Sequence, residues 1–351
     1  MIRVLVVDDS AFMRKLISDF INDTPGMTAA ATARNGKEAI ETLKKGNFDV
    51  VTLDVEMPVM DGIHALRVIM KEHPTPVVMV SSLTREGASK TMEALHAGAV
   101  DIILKPSGAI SLDLHKVKEE MISKIKMAAG VSIQKQFRSM SGNDRHRKDF
   151  KLKRYVNPKK VLAIGTSTGG PKALQHIIPR IDDRLQAPIF VAQHMPPNFT
   201  YSLAERLNKE SRIFVKEAVD GELAIKGTAY IAPGGKQMEV QSVGDELYIK
   251  VSSPKKHHVH SPSVDLLLSS LADITGYVMV GLILTGMGRD GADGLRQLKE
   301  NKDSIAVIES ENSAIVYGMP KAAKEKVDID YIYSLEEIPH FLNEMFTSPS
   351  A

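Results

Sequence analysis

The chain has 351 residues, of which 43% are hydrophobic and 25% are charged, values that are ordinary for a globular protein. This length is sufficient for two domains, each with a core of its own. The formal net charge of +2 predicts no bulk attraction to nucleic acid or to a membrane surface. Because the chain has no cysteine, disulfides and thiol chemistry are excluded, and a reducing compartment is favoured.

The start of the chain and its hydropathy predict a cytoplasmic protein. A short apolar run is followed at once by Asp8 and Asp9, which is unlike a secretory signal peptide. No uninterrupted apolar run approaches the roughly 18 residues of a membrane-spanning helix. We therefore expect no membrane insertion.

The first 126 residues alternate between short apolar runs and amphipathic segments. Strands are predicted at 3–7, 28–32, 50–53, 77–80 and 101–104, and helices at 11–21, 36–44, 62–71, 87–96 and 113–126. Five strands separated by helices predict a five-stranded, doubly wound parallel sheet. Ligands of such a sheet bind at the carboxyl ends of its strands.

Polar residues stand where these predicted strands end. Asp8 and Asp9 follow the first strand, and Asp54 follows the third. Ser81 and Lys105 follow the fourth and the fifth. A single Asp in such a place is usually a turn residue or a helix cap. Three carboxylates at one sheet edge repel one another unless a hard cation lies among them, so the pattern predicts Mg²⁺ and a bound phosphoryl group.

Four segments of this half form a shared pattern: VDDS at 7–10, LDVEMPVMDG at 53–62, MVSS at 79–82 and KP at 105–106. With them, the first half resembles a response-regulator receiver domain. The resemblance implies that Asp54 accepts a phosphoryl group from a histidine kinase. It also implies a set of residues around that group: Mg²⁺ ligands at Asp8, Asp9, Asp54 and the backbone carbonyl of Glu56, a hydroxyl at Ser81, and a phosphate-binding lysine at Lys105.

Hydrophobic periodicity is lost between residues 127 and 158, where polar and basic residues dominate. This composition predicts a flexible linker, since solvated linkers are commonly charged. Contact of its basic run with nucleic acid or an acidic partner is the alternative. The sequence thus predicts a receiver domain at 1–126, a linker at 127–158 and a second domain at 159–348.

The alternation of strands and helices resumes at Lys160. Long apolar runs at 161–164, 187–193 and 277–284 predict buried strands, and 199–209 predicts a helix. Shorter strand patterns stand at 212–215, 229–231, 238–240 and 247–251. We expect an α/β domain with a Rossmann-like parallel sheet and an antiparallel excursion at its edge.

Each long apolar run of this half leads to a residue suited to acyl transfer. Ser167 lies in the Gly-rich turn after the first run, where Pro171 suits the first turn of a helix. His194 follows the second run and Asp290 follows the third. Neighbouring parallel strands would bring all three to one edge, where an imidazole takes the serine proton and a carboxylate orients the imidazole. Nearby glycines would let backbone N–H groups approach a developing oxyanion.

The Gly-rich turn also permits other interpretations. A dinucleotide-binding fold uses such a turn, but it places an acidic residue after the second strand, where this chain has Gln193. The α/β-hydrolases share the Gly-x-Ser-x-Gly pattern, but their order is serine, aspartate, histidine. The order here is serine, histidine, aspartate, which excludes that class.

Two further sets of residues compete for roles in this half. Asp293 is an alternative to Asp290 as the carboxylate, although it already lies inside the next predicted helix. His257, His258 and His260 could suggest a metal site, but no cysteine or acidic ligand completes the set. A surface or substrate-facing loop is the favoured interpretation of these histidines.

Six motifs of the second half carry a second resemblance: IGTSTGG at 164–170, QHMPP at 193–197, YIAPG at 230–234, PSVD at 262–265, LTGMG at 284–288 and GMP at 318–320. In this order, and together with the receiver pattern, they resemble the CheB family of chemotaxis protein-glutamate methylesterases over nearly the whole chain. The resemblance implies a catalytic triad of Ser167, His194 and Asp290.

The resemblance also implies residues beside the triad. Thr168 and Met287 would line the site, and their backbone N–H groups are candidates for the oxyanion hole. Arg289 departs from the family, whose members usually have a small or neutral polar residue there. A cation beside the catalytic acid could lower its pKa or change the choice of substrate.

The implied reaction is hydrolysis of glutamate γ-methyl esters on the cytoplasmic helices of chemoreceptors, with release of methanol. Deamidation of specific receptor glutamines is the same acyl transfer with ammonia as the leaving group. The resemblance implies no cofactor for ester hydrolysis. Phosphorylation of Asp54 is expected to shift the two domains from a blocked to an open arrangement.

Two other functions fit parts of the sequence. A receiver joined to a transcription factor predicts a helix-turn-helix with a basic recognition helix, a pattern that the second half lacks. A receiver joined to a non-catalytic nucleotide-binding or scaffold module would use the Gly-rich turn without the triad. Labelling with a serine-directed phosphonate distinguishes that module from a hydrolase.

Overall fold

The computed structural model describes residues 1–105, 113–131, 159–254, 259–300 and 303–347. The chain divides into two compact units, Met1–Lys135 and Gln136–Ala351, and each contains a parallel sheet. Within the described ranges, none of the helices combines the length and the apolar character needed to cross a membrane.

Strands and helices alternate along the first unit, as predicted. They are β1 Ile2–Val7, α1 Ala11–Asn22, β2 Met27–Ala33, α2 Gly36–Lys45, β3 Val50–Asp54, α3 Gly62–Glu72, β4 Val77–Ser81, α4 Arg85–Ala97, β5 Asp101–Leu104 and α5 Asp113–Ala129. All five strands pair in parallel in the order β2-β1-β3-β4-β5. Because the chain order reverses between β1 and β3, the loops after these two strands border a crevice at the carboxyl edge.

Polar side chains begin the helices of this unit. The capping residues each accept a hydrogen bond from the backbone N–H three residues further on: Ser10, Asn35, Asp61 and Thr84. These caps satisfy N–H groups that have no partner within the helix. Helix α5 continues three residues beyond its predicted end, because methionine and alanine favour helix there and Ala128 is fully buried. Residues 132–158 of the predicted linker lie outside the described ranges.

The second unit has more elements than the sequence patterns predicted. They are β6 Lys160–Thr166, α6 Gly170–Ile177, β7 Ile189–Gln193, α7 Phe199–Glu210, β8 Phe214–Glu217, β9 Thr228–Ile231, β10 Gln237–Val243, β11 Glu246–Ser252, α8 Val264–Ala272, β12 Val278–Ile283, α9 Ala292–Glu300, β13 Ser304–Glu309, α10 Met319–Lys326, β14 Tyr331–Tyr333 and α11 Ile338–Phe346. A 3₁₀ turn over Ile178–Arg180 follows α6. The additional strands β13 and β14 extend the sheet beyond β12.

Seven strands of this unit form one parallel sheet in the order β14-β13-β12-β6-β7-β9-β8. The predicted antiparallel excursion is confirmed as the hairpin β10–β11, which forms a separate two-stranded sheet. The patterns predicted at 212–215 and 229–231 belong to β8 and β9, which pair in parallel within the main sheet.

The hairpin β10–β11 is held by its apolar face. Met238 and Val240 of β10 and Leu247 and Ile249 of β11 alternate along their strands and are buried. They share one apolar cluster with three leucines of α8, which are Leu267, Leu268 and Leu271. Burying each side chain of this size stabilises the fold by about 1.5–3 kcal/mol, so the hairpin anchors α8 beside the main sheet.

Candidate active site and phosphorylation site

Three loops meet at the carboxyl edge of the seven-stranded sheet, where β6 lies between β7 and β12. Ser167 follows β6, His194 follows β7, and Asp290 lies in the loop after β12. Hydrogen bonds of 3.1 Å join these loops, from Ser167 N to Thr285 O and from His194 N to Thr166 O. The chain order reverses between β6 and β12, which is where an open α/β sheet places its ligands.

His194 and Asp290 form a direct pair. His194 Nε2 lies 2.7 Å from Asp290 Oδ2, and the two side chains are only 11% and 9% exposed. Since Nε2 faces the carboxylate, Nδ1 is the ring nitrogen that remains available to act as a base. Ser167 is half-buried, and in the described part of the chain its hydroxyl makes no hydrogen bond to His194. Catalytic hydrogen bonds of free enzymes often tighten only when substrate binds.

Asp290 is held by the first residues of α8 as well as by His194. Its Oδ1 accepts hydrogen bonds from Ser263 Oγ at 3.0 Å and from Asp265 N at 2.9 Å. Its Oδ2 also accepts one from Val264 N at 2.8 Å. Burial alone would raise the pKa of Asp290, but the His194 ring and these helix N–H groups hold that pKa well below its usual range. The carboxylate is therefore a fixed anion that orients the imidazole.

The turn that holds Ser167 is fixed by close backbone contacts. Ser167 O accepts hydrogen bonds from Gly170 N at 2.8 Å and from Gln193 Nε2 at 2.9 Å. Any side chain at Gly170 would overlap the Gln193 amide. A Cβ at Gly286 would stand 2.9 Å from Ser167 Cβ, so the loop after β12 also packs directly against the serine. The glycines of both motifs are thus required by these close approaches.

The two predicted oxyanion-hole residues flank Ser167. Thr168 follows it in the turn and is 3% exposed, and its carbonyl accepts a hydrogen bond from Thr285 Oγ1 at 3.0 Å. Met287 follows Gly286 and is 37% exposed. Thr168 belongs to the turn of Ser167, and Met287 belongs to the loop that packs against this turn.

The first unit places a second group of charges at the carboxyl edge of its own sheet. Carboxylate oxygens of Asp8, Asp9 and Asp54 lie within 4.8 Å of one another. Lys105 Nζ is 2.7 Å from Asp54 Oδ2 and 3.2 Å from Asp8 Oδ2. Burial, with the charge of Asp8, raises the pKa of Asp54 to about 6, although the nearby Lys105 ammonium opposes the change.

This acidic cluster fits a hard divalent cation. Apart from the ion pair with Lys105, Asp8 Oδ2 and Asp54 Oδ2 are buried without a hydrogen-bond partner among the described residues. One ammonium shared between two buried carboxylates leaves part of their negative charge uncompensated, which is unfavourable. A Mg²⁺ ion with oxygen ligands would relieve this, and the three carboxylates supply the ligand type that it prefers.

The side chains of the other two predicted residues of this site, Ser81 and Glu56, both contact α4. Ser81 is buried, and its hydroxyl contacts α4, where Thr91 Oγ1 donates to it at 2.8 Å and Gly87 O lies at 3.4 Å. The hydroxyl is thus engaged away from Asp54. The Glu56 side chain pairs with a lysine of α4 at 2.8 Å, while its backbone N–H donates to Asp54 Oδ1 at 3.4 Å.

Both halves of the chain match known protein families. A family model described as CheB methylesterase matches residues 162–342, and one described as response regulator receiver domain matches residues 4–115. The chain is 49% identical to an Oceanobacillus iheyensis protein named protein-glutamate methylesterase/protein-glutamine glutaminase, over 99% of each chain. A Bacillus subtilis protein of the same name is 46% identical over 96% of each chain.

The chain belongs to the CheB methylesterase family. The crystal structure of the Thermotoga maritima CheB methylesterase catalytic domain is similar to the second unit, with a TM-score of 0.51 and 38% identity. That similarity covers 53% of this chain and 98% of the Thermotoga chain. The predicted family and fold class are therefore confirmed.

Within this CheB-family chain, the structure also identifies site residues that the sequence analysis did not assign. The His260 ring stacks on the His194 ring, with centroids 4.1 Å apart and planes 17° from parallel. Ser263 and Val264 bind Asp290, and Gln193 supports the Ser167 turn. The motifs at 193–197 and 262–265 were the available signal, but their roles depend on contacts between distant segments.

The residues that compete for roles in this half are placed differently from one another, and only His260 among those described contacts His194. Asp293 lies in the first turn of α9 and pairs with Lys326 of α10 at 2.6 Å. Arg289 is exposed, and the groups that hold the pKa of Asp290 low are His194 and the start of α8. His257 and His258 lie outside the described ranges.

Proposed function

We propose that this chain hydrolyses γ-methyl esters of glutamates in chemoreceptors, and deamidates receptor glutamines, through Ser167, His194 and Asp290. The observation that carries the proposal is the 2.7 Å pair between His194 Nε2 and Asp290 Oδ2 beside the serine turn. The names of the curated relatives, which match over nearly the full chain, support the same substrate class.

In the first half of the reaction, Ser167 Oγ attacks the ester carbonyl while His194 Nδ1 takes the hydroxyl proton. The negative oxygen of the tetrahedral intermediate is stabilised by the backbone N–H groups of Thr168 and Met287, since such donors favour charge that develops in the transition state. When the intermediate collapses, the methoxy oxygen leaves with the proton from His194 as methanol. With a glutamine substrate, His194 gives this proton to the amide nitrogen, which leaves as ammonia.

In the second half, water attacks the acyl-enzyme and gives a proton to His194 Nδ1. The carbon–Oγ bond then breaks, Ser167 Oγ regains its proton from His194, and glutamate is released. Asp290 stays ionised throughout and stabilises the imidazolium that forms twice in the cycle. These steps use only protein groups and water.

The non-catalytic nucleotide-binding alternative is not supported by the last residue of β7. At the position where a dinucleotide-binding fold has an acidic residue for ribose, Gln193 donates its side-chain N–H to Ser167 O. This amide serves the serine turn, which favours a hydrolase.

The nucleophile is tested with the full chain and a methylated receptor fragment. Ser167→Ala is expected to lower methanol release by at least about 10⁴-fold, because it removes the oxygen that attacks the ester carbonyl. Ser269→Ala, on α8, is the control and should keep the wild-type rate. A serine-directed phosphonate should label wild type and the control but not Ser167→Ala. Retained turnover in Ser167→Ala would refute the assignment.

We further propose that a receiver domain at 1–126, joined by a linker at 127–158 to a catalytic domain at 159–348, controls this activity in the cytoplasm. Asp54 would take its phosphoryl group from a chemotaxis histidine kinase, with Lys105 binding the phosphoryl oxygens. Mg²⁺, held by Asp8, Asp9, Asp54 and the Glu56 carbonyl, would supply charge neutralisation for phosphoryl transfer. Ser81 would turn towards the phosphoryl group and so release its contacts with α4.

Regulation is tested by methanol release from the full chain with and without a small acyl phosphate and Mg²⁺. The wild-type rate should rise with the phosphodonor, and Asp54→Asn should show no rise because it lacks the acceptor carboxylate. Asp19→Asn, an exposed residue of α1, should respond like wild type. An equal response of wild type and Asp54→Asn would contradict control through this residue.

A further inference from the structure

Asp265, in the first turn of α8, makes a return contact to the loop that carries Asp290. Its Oδ1 accepts hydrogen bonds from Gly291 N at 2.8 Å and from Gly294 N at 2.6 Å. These N–H groups lie directly after Asp290, at the start of α9. The backbone N–H of Asp265 in turn donates to Asp290 Oδ1 at 2.9 Å.

The N-terminus of each of these two helices therefore binds an aspartate carboxylate from the start of the other. Asp290, just before α9, is bound by the first N–H groups of α8, and Asp265 of α8 is bound by the first N–H groups of α9. Both carboxylates satisfy donors that would otherwise lack partners, and both lie at the positive end of a helix dipole. We call this arrangement the reciprocal aspartate pair.

Close packing around the reciprocal aspartate pair leaves its residues little space to move. A Cβ at Gly294 would stand 2.5 Å from the backbone oxygen of Asp265. A Cβ at Gly291 would stand 2.7 Å from Val264 Cγ1. The two helix starts thus pack closely against each other, which leaves little space for either carboxylate to shift.

We propose that Asp265 is a positioning residue for the proposed hydrolysis, which holds the Asp290 loop so that Asp290 keeps the imidazole of His194 aligned with Ser167. The proposal rests on the function proposed above for the triad. It assigns a role to the acidic end of the motif at 262–265, in which Ser263 and Val264 contact Asp290 directly.

The contact requires an acceptor at residue 265 more than it requires a charge. Burial, with the neighbouring charge of Asp290, raises the pKa of Asp265 to about 6. A second negative charge close to Asp290 is unfavourable, whereas an oxygen that accepts the two glycine N–H groups is favourable. Asparagine supplies that oxygen without the charge, and alanine supplies neither.

The test compares Asp265→Asn and Asp265→Ala in the full chain. Asp265→Ala should lower kcat for methanol release by about tenfold or more with little change in KM, because small displacements of catalytic groups reduce the chemical step. The rate of phosphonate labelling at Ser167 should fall in parallel. Asp265→Asn should stay within about threefold of wild type in both assays.

Asp293→Asn is the matched control, since it removes an aspartate from the first turn of α9 that pairs only at the surface with Lys326. It should keep wild-type kcat and labelling. The NMR chemical shift of the proton between His194 Nε2 and Asp290 should change in Asp265→Ala and stay the same in Asp293→Asn. A purely structural role for Asp265 would lower thermal stability without moving this signal.

Folded Asp265→Ala with wild-type kcat, labelling rate and NMR signal would overturn the proposal, as would equal losses in Asp265→Asn and Asp265→Ala. If Asp265→Ala does not fold, Asp265→Ser replaces it, because one hydroxyl reaches fewer donors, and a wild-type labelling rate there would again overturn it. Absence of methanol release from wild type, with normal phosphonate labelling, would refute the proposed substrate while leaving the role of Asp265 testable by labelling.

Discussion

Asp54 and Asp290 occupy similar places in the two parallel sheets, next to the point where each strand order reverses. Asp290 accepts hydrogen bonds from four groups, and its pKa lies well below the usual range. Asp54 receives one long backbone contact, from Glu56 N at 3.4 Å, and pairs with Lys105, and its pKa is raised to about 6. The difference between the two carboxylates lies in the number of donors around them.

This difference separates two uses of a buried carboxylate. A carboxylate whose oxygens are all satisfied by fixed donors stays ionised and serves to orient its neighbour. A carboxylate with an unsatisfied buried oxygen gains from a cation, a proton or a covalent group. Asp290 is suited to the first use and Asp54 to the second, as an acceptor of a phosphoryl group.

Among the variants of these carboxylates, removal of the Asp290 charge should have the largest effect on catalysis. Asp290→Asn turns an amide towards at least one of the four donors and no longer favours the required imidazole tautomer. We expect kcat for methanol release to fall by about 10⁴-fold, with phosphonate labelling reduced in parallel. A loss below about tenfold would mean that Asp290 does not orient His194.

Glu309, at the end of β13, extends the comparison to a buried carboxylate with two donors, Thr285 N and Ser313 Oγ. Burial outweighs these bonds and raises its pKa to about 7. Because the pKa of Glu309 in the folded state lies above its usual value, the protonated carboxyl contributes to the free energy of unfolding. This contribution is complete in acid and is lost as pH rises through 7. Glu309→Gln should therefore gain roughly 2–3 kcal/mol relative to wild type between pH 5 and pH 8.

Urea unfolding followed by tyrosine fluorescence measures this change, since all eight tyrosines lie beyond residue 150. Glu325→Gln, an exposed residue of α10, is the control and should show no such trend. A Glu309→Gln difference that is constant from pH 5 to pH 8 would show that Glu309 does not titrate in this range.

Removing one donor should move Asp290 part of the way towards the condition of Asp54. Ser263→Ala deletes the hydroxyl that binds Asp290 Oδ1 at 3.0 Å. A hydrogen bond to a charged group contributes about 1.5–3 kcal/mol, so we expect a decrease in kcat of about tenfold. Ser269→Ala on the same helix is the control, and equal rates for the two variants would contradict the prediction.

The stacked His260 should give the smallest effect. His260→Ala removes a ring contact worth about 0.5–1.5 kcal/mol, which corresponds to a two- to tenfold lower kcat. His260→Phe keeps a flat ring against His194 and should restore most of the rate. The pH–rate profile of both variants shows whether the stack also affects the protonation of His194, and a wild-type rate in His260→Ala would exclude a role for the stack.

The sequence predicted most of the fold because its apolar runs end sharply in glycine and polar residues. The strands that carry Ser167, His194 and Asp290 were found from those runs, and their residues converge because parallel strands end at one edge. The short strands β8 and β9 were found, but their parallel pairing within the sheet was not predicted. Pairing depends on partners far apart in the chain, which local patterns do not encode.

The residue types at the strand ends can be read directly from the sequence, and they indicate that Ser167, His194 and Asp290 can meet. Three other features depend on how distant segments pack: Nε2 of His194 faces Asp290, the start of α8 binds this carboxylate, and the hydroxyl of Ser81 contacts α4. Periodicity and motifs report the local backbone. Donor geometry around a buried charge arises when segments 25 to 96 residues apart pack together.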